Sequence, residues 1–149
     1  MRRRDFLAAT GAVAGTLALR ADPASATPEQ AQEAIRALVG GGTLRKGRVK
    51  LDLPPLVENG NAVPLTVTVD SAMSAMDRVR AIHVIAEKNP QPVVAVLRFG
   101  PRAGRAAAST RIRLADSQTV VAVAEMADGS FWSGSAEALV TMSACVEGI

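Results

Sequence analysis

The chain holds one cysteine, one histidine and one tryptophan among 149 residues, and it has no tyrosine at all. Each scarcity removes a class of function. Metal centres cluster His, Cys, Asp or Glu at ligand spacing, whereas His83 and Cys145 stand far apart with no such spacing around either. A single cysteine permits no internal disulfide, so the core has to come from Val, Ile, Leu and Ala. The glycine-rich stretches 39–43 and 100–104 lack the Walker lysine pattern and the strand-to-helix setting of a phosphate loop. Nucleic-acid surfaces interleave basic and aromatic side chains. With three Phe and one Trp there is little to interleave. No cofactor and no catalytic residue is implied.

The N-terminus is the first positive signal. Arg3 and Arg4 are followed, after Asp5, by Phe6 and Leu7, then by an uncharged run over 8–19 and by Ala24-Ser25-Ala26. A basic segment, a short apolar segment and a small-x-small cleavage site make an export signal of the twin-arginine kind. The apolar run is too short to cross a bilayer, which takes about 20 residues. The expected domains are therefore a signal peptide over 1–26, cut after Ala26, and one domain over 27–149. From Thr27 on, thirteen basic residues face twelve acidic ones. The formal charge of +3 thus belongs largely to the signal. Neither nucleic acid nor, in the mature form, a membrane is expected as a partner.

Thr27-Pro28 followed by Gln30 is a helix start, and Ala31, Ala34, Ile35, Leu38 and Val39 recur at helical spacing up to Gly40. Beyond it the pattern turns to period two, most cleanly at Val63, Leu65, Val67 and Val69. Further strands are predicted over 49–53, 81–86, 93–99, 110–114, 119–126 and 138–143, with turn signals such as Glu58-Asn59-Gly60-Asn61 between them. Seven short strands after one helix predict an all-β fold, an antiparallel β-sandwich.

Few side chains are candidates for chemistry. Arg102 and Arg105 make either an anion site or a solvated loop, and the solvated loop is preferred. His83 is predicted on the outer face with Ile85, as a surface or subunit-contact residue. Phe131 and Trp132, adjacent on a strand, must point to opposite faces and serve as anchors. Cys145 is open between a small buried hydrophobe and a reactive handle, since exported single-domain proteins mostly pair or avoid thiols.

Three stretches carry a family resemblance: VKLDLPPLVENGNAVPLTVTVDS (49–71), AIHVIAEKNPQPVVAVLRFGP (81–101) and STRIRLADSQTVVAVAEMADGSFW (109–132). They resemble SoxY, the thiosulfate-oxidation carrier of the bacterial Sox system. The resemblance implies an immunoglobulin-like β-sandwich in the periplasm that is a carrier and not an enzyme. It implies a SoxZ-type subunit as heterodimer partner, exported with the folded carrier. It also implies covalent attachment of sulfur intermediates to Cys145. Other Sox proteins would act on the adduct: a c-type cytochrome complex, a dimanganese hydrolase and a molybdo-haem dehydrogenase.

The end of the chain departs from that family. Its tail is Gly-Gly-Cys-Gly-Gly, where this chain has Ser143-Ala144-Cys145-Val146-Glu147-Gly148-Ile149. Flanking glycines leave an arm almost free in conformation, and Ala144 and Val146 restrict it. Glu147 sets a carboxylate beside the thiol, which disfavours the thiolate. For a carrier, the segment from about Ala144 onward is expected to be exposed. The alternative is a non-covalent immunoglobulin-like scaffold in which Cys145 carries nothing.

Overall fold

The computed structural model describes residues 27–144. Helix α1 (Pro28–Val39) begins where Thr27-Pro28 predicts, and the Thr27 N–H donates to Gln30 Oε1 at 3.4 Å. It stops at Gly40, whose φ of 64° is left-handed and whose N–H donates to the Arg36 carbonyl. Nine strands follow: β1 (Leu44–Lys46), β2 (Val49–Asp52), β3 (Leu56–Val57), β4 (Val63–Val69), β5 (Val79–Ala86), β6 (Val93–Arg98), β7 (Ala107–Ile112), β8 (Gln118–Met126) and β9 (Phe131–Val140). They form two sheets, one in the order β1-β9-β8-β5-β6 with β3 also on β9, the other β2-β4-β7. This is the expected immunoglobulin-like sandwich.

The core lies between the sheets. Val63, Leu65, Val67 and Val69 of β4 are at most 4% exposed, and the residues between them face out, as the alternation predicts. They pack with Ile82, Val84 and Ala86 of β5 and Val120, Ala122 and Ala124 of β8. A second, smaller core explains why β5 is apolar on both faces. Ala31, Ile35 and Leu38 of α1 cover Ile85 and Val123 on the outer side of the larger sheet. Phe131 joins this cluster while Trp132 packs against the main core, so the two rings do point opposite ways.

Three expectations change. The last strand begins at Phe131 rather than 138, because the Ser133-Gly134-Ser135 stretch that breaks the apolar pattern is a crossing point. A Cβ at Gly134 would collide with the Val49 carbonyl oxygen of the opposite sheet. β1 and β3, of three and two residues, are too short for periodicity to reveal and exist as parallel additions to β9. The stretch 119–124 carries no charge, which would be a liability on an open edge, and it is central instead. It lies in β8, between β5 and β9. The terminal strands are β1 and β6 in the larger sheet and β2 and β7 in the smaller.

One end of the sandwich is fixed by polar contacts. Arg48, at φ 61°, donates from Nη2 to both Asp77 carboxylate oxygens at 2.8 and 2.9 Å and from Nε to the Asp70 carbonyl. The Arg48 hydrogen bonds, with the Ala72 N–H, hold the Asp77 carboxyl below the usual carboxylate range. Arg45 and Arg48 each lie over the Trp132 ring, 5.5 and 5.4 Å from its centroid.

Candidate functional site

The opposite end holds the chain terminus. After β9 the chain does not leave the domain at once. Leu139 N–H donates to the Pro55 carbonyl and Thr141 N–H to that of Val57, both at 2.9 Å, which extends the short β3 ladder. Gly60 N–H then donates to the Met142 carbonyl at 2.8 Å, and Ala144 N–H to the Leu114 carbonyl at 3.1 Å. The same Leu114 donates its N–H to the Gly60 carbonyl at 2.8 Å. Gly60 is thus the centre of a three-segment clamp. A Cβ there would collide with the Leu114 carbonyl oxygen and lie 2.8 Å from the Ala144 nitrogen. Only glycine permits this approach.

The loop carrying Leu114 is itself held from the other side. Asn89, 7% exposed, donates from Nδ2 to the Arg113 carbonyl at 2.7 Å and accepts the Ala115 N–H at 3.0 Å. Gln118 donates to Asn89 Oδ1 and to the Asp116 carbonyl and accepts the Lys88 N–H. Ser117 Oγ accepts the Val140 N–H at 2.8 Å. Both buried amides find partners, as buried polar groups must. The network makes the floor of the terminus rigid.

The carrier expectation changes at one residue. Ala144 is 7% exposed and hydrogen-bonded, so the segment is anchored through Ala144 and an arm could begin only after it. Ala144 is apolar and its N–H finds a carbonyl beside it, and glycine at that position would have bought less burial. Leu56, Leu139 and Met142, 60, 66 and 63% exposed, crowd the base of the terminus. An open depression of about 400 Å³ beside them is lined by Pro55, Glu87, Lys88, Ser117, Glu137 and Leu139.

Of the residues singled out in the sequence, Cys145 and the signal residues Arg3, Arg4, Phe6 and Leu7 lie outside the described residues. His83 alternates to the outer face as expected but is largely covered rather than at the surface: its side chain is 14% exposed, with Nε2 3.6 Å from a Glu125 carboxylate oxygen and without a hydrogen bond among the described residues. It sits within β5, opposite Val96 and Val123, and no described contact joins it to the terminus. Arg102 and Arg105 are exposed and enter no ion pair among the described residues, which fits the solvated loop. Among the described residues no group of three His, Cys, Asp or Glu is placed to hold a metal. Sequence reasoning missed Asn89 and Gln118. It recognised Gly60 only as part of a turn, because its close contacts come from residues more than fifty positions away.

Comparison with known proteins bears on this geometry. The family model described as "Sulfur oxidation protein SoxY" matches residues 35–145. No curated protein sequence matches significantly. Among solved structures, the sulfur carrier protein SoxY from Chlorobium limicola f. thiosulfatophilum is similar with a TM-score of 0.64 and 25% identity, over 78% of this chain and 100% of that one. A superoxide reductase (neelaredoxin) variant from Ignicoccus hospitalis aligns with a TM-score of 0.55 and 17% identity, over 76% of this chain and 92% of that one. A superoxide reductase-like protein from Thermotoga maritima gives 0.54 and 18%, over 64% and 86%. The last two likenesses concern the fold alone.

Proposed function

Because the chain belongs to the SoxY family of sulfur-oxidation proteins, whose pattern spans residues 35–145, we propose that it is a periplasmic carrier holding sulfur intermediates covalently on Cys145. The observation that carries the reading is where the family match ends: at residue 145, the sole cysteine. The clamp adds a physical reason. It fixes Ala144, the residue directly before Cys145, and so tethers the thiol to a buried anchor on the domain. The chemistry asks nothing more of the domain. Joining the Cys145 thiolate to the outer sulfur of thiosulfate forms one S–S bond and releases two electrons, which the c-type cytochrome complex would accept. Hydrolysis by the dimanganese enzyme would then release sulfate, and the molybdo-haem dehydrogenase would oxidise the sulfur left behind. The carrier supplies a leash, not a catalyst. An intact mass of protein from its native periplasm tests this: sulfur adducts confined to Cys145 support it, and an unmodified thiol during thiosulfate oxidation counts against it.

The order 1–26 for a twin-arginine signal and 27–149 for the folded domain belongs to the same proposal. Twin-arginine export moves folded cargo, so a signal-less SoxZ-type subunit would travel bound to the carrier. Changing Arg3 and Arg4 together to Lys is expected to retain both proteins in the cytoplasm. A partner that still reaches the periplasm refutes the joint export.

The partner subunit needs a surface, and the uncharged stretch within β8 does not provide one. The exposed apolar group at Leu56, Leu139 and Met142 does. The mature chain mixed with a SoxZ-type subunit is expected to sediment as a heterodimer in analytical ultracentrifugation. A monodisperse monomer unaffected by that subunit overturns the pairing. The scaffold alternative, in which Cys145 carries nothing, draws on the buried Ala144 and the glycine-poor tail.

A further inference from the structure

The balance of thirteen basic and twelve acidic residues from Thr27 on hides a separation of charge. Between 89 and 115 there are five arginines, Arg98, Arg102, Arg105, Arg111 and Arg113, and no acidic residue. The other eight basic residues share the rest of the domain with all twelve acidic ones. The fold gathers the five in one place. Arg98 ends β6, Arg102 and Arg105 lie in the loop that follows, Arg111 is in β7 and Arg113 comes just after it. β6 and β7 are each terminal in their sheet and touch each other. All five side chains are exposed, and none forms an ion pair among the described residues.

The same edge offers more than charge. Phe99 N–H donates to the Arg80 carbonyl, so by strand alternation the backbone groups of Val96 and Arg98 point away from β5. Val93 and Val96 are 43 and 41% exposed on that strand. Protection of an edge against aggregation takes one or two charges on the strand itself, yet three of these five arginines lie off the strands. A surface built for solubility intersperses both signs, and this one does not.

One end of the stripe lies at the terminus. Arg113 directly precedes Leu114, whose carbonyl holds Ala144. From there the stripe runs along β7 to the loop at the opposite end of the sandwich. We propose that this edge is the docking track for an acidic protein surface belonging to an enzyme that works on the C-terminal thiol. The inference rests on the carrier reading of Cys145. Exposed charges of one sign contribute chiefly to the association rate and are sensitive to salt. A carrier that must meet several enzymes in turn needs fast, releasable encounters of this kind. Arg113 puts one end of the track beside Leu114, which holds Ala144, the residue directly before Cys145 in the chain.

The test measures association of the mature chain with the purified c-type cytochrome complex of its sulfur-oxidation system, at rising salt. The wild type is expected to associate at a rate that falls steeply with salt. Replacing the five arginines by Gln should lower the rate about tenfold or more at low salt and flatten its salt dependence. A control with Arg36→Gln and Lys46→Gln should change it little. If the five-fold variant folds poorly, Arg111→Gln with Arg113→Gln serves, with a smaller loss of several-fold. Unchanged association in a folded variant overturns the track, as does equal loss in the control. Retention of the wild type by duplex DNA or anionic vesicles at physiological salt, with cytochrome binding insensitive to the arginines, overturns it too. Cys145→Ser separates the two readings: it should dock as the wild type does while accepting no sulfur. Normal adduct formation in the arginine variant, with unchanged docking, removes the track and leaves the carrier intact.

Discussion

Replacing Gly60 by alanine is expected to unfasten the C-terminal segment and lower the melting temperature by roughly 10 °C. The added Cβ meets the Leu114 carbonyl oxygen, and its second neighbour is the Ala144 nitrogen at 2.8 Å. Both are backbone atoms, so no side-chain rotation relieves the clash. Either Gly60 or Leu114 must shift, and with them go the bonds Gly60 N–H to Met142, Leu114 N–H to Gly60 and Ala144 N–H to Leu114. The shift relieves the overpacking, which would otherwise cost about 1–3 kcal/mol, and each of the lost hydrogen bonds costs about 1 kcal/mol. A total near 3 kcal/mol corresponds to about 10 °C for a domain of this size. The clamp also limits how far the thiol reaches, so maleimide labelling of Cys145 should be faster in the variant. A variant with wild-type melting and labelling would show that the clamp does not hold the terminus.

The legible part of this fold is the part with local causes. Val63 through Val69 could be placed residue by residue, since a half-buried strand needs only a period of two. α1 was equally plain, because Thr27, Pro28 and Gln30 act on backbone groups within one turn. What escaped depends on partners distant in the chain. β3 has two residues, and only its register with Leu139 and Val140 makes it a strand. Gly134 looked like a break in β9 and is the point where β2 crosses it. Ile85, apolar on the expected outer face, was the one local hint that α1 must lie there.

The functional end was legible in its chemistry and hidden in its mechanics. Cys145 stands out by count alone. That the residue before it is pinned could not be read from Ser143-Ala144, which resembles a loosened strand end. The pinning comes from Leu114 and Gly60, and these are positioned by Asn89 and Gln118 through contacts that no periodicity encodes. The arginine edge was masked for a different reason. Net charge averages over a chain, and a near-neutral sum is compatible with one uniformly positive edge. The sequence does contain the signal, as an acid-free stretch over 89–115, but only the pairing order makes its two halves neighbours.

Cys145→Ser is expected to end sulfur carriage outright while leaving the melting temperature almost unchanged. The reasoning follows from what the thiol does under each reading. A carrier thiol has to meet reagents and enzymes, so the wild type should react quickly with a maleimide and form a disulfide dimer in air. Serine has no sulfur to form either bond, and its hydroxyl would be solvated at no cost to the fold. Thiosulfate incubated with the loading cytochrome complex should add no mass to the variant. A structural thiol behaves in the opposite way. It is shielded from the reagent, and a buried serine hydroxyl without a partner costs on the order of 1–3 kcal/mol. The two readings therefore exchange their results in both measurements. Slow labelling of the wild type together with a clearly destabilised serine variant rejects the carrier and establishes the scaffold. Fast labelling with an unchanged melting temperature leaves the clamp at Ala144 as the base from which Cys145 is presented.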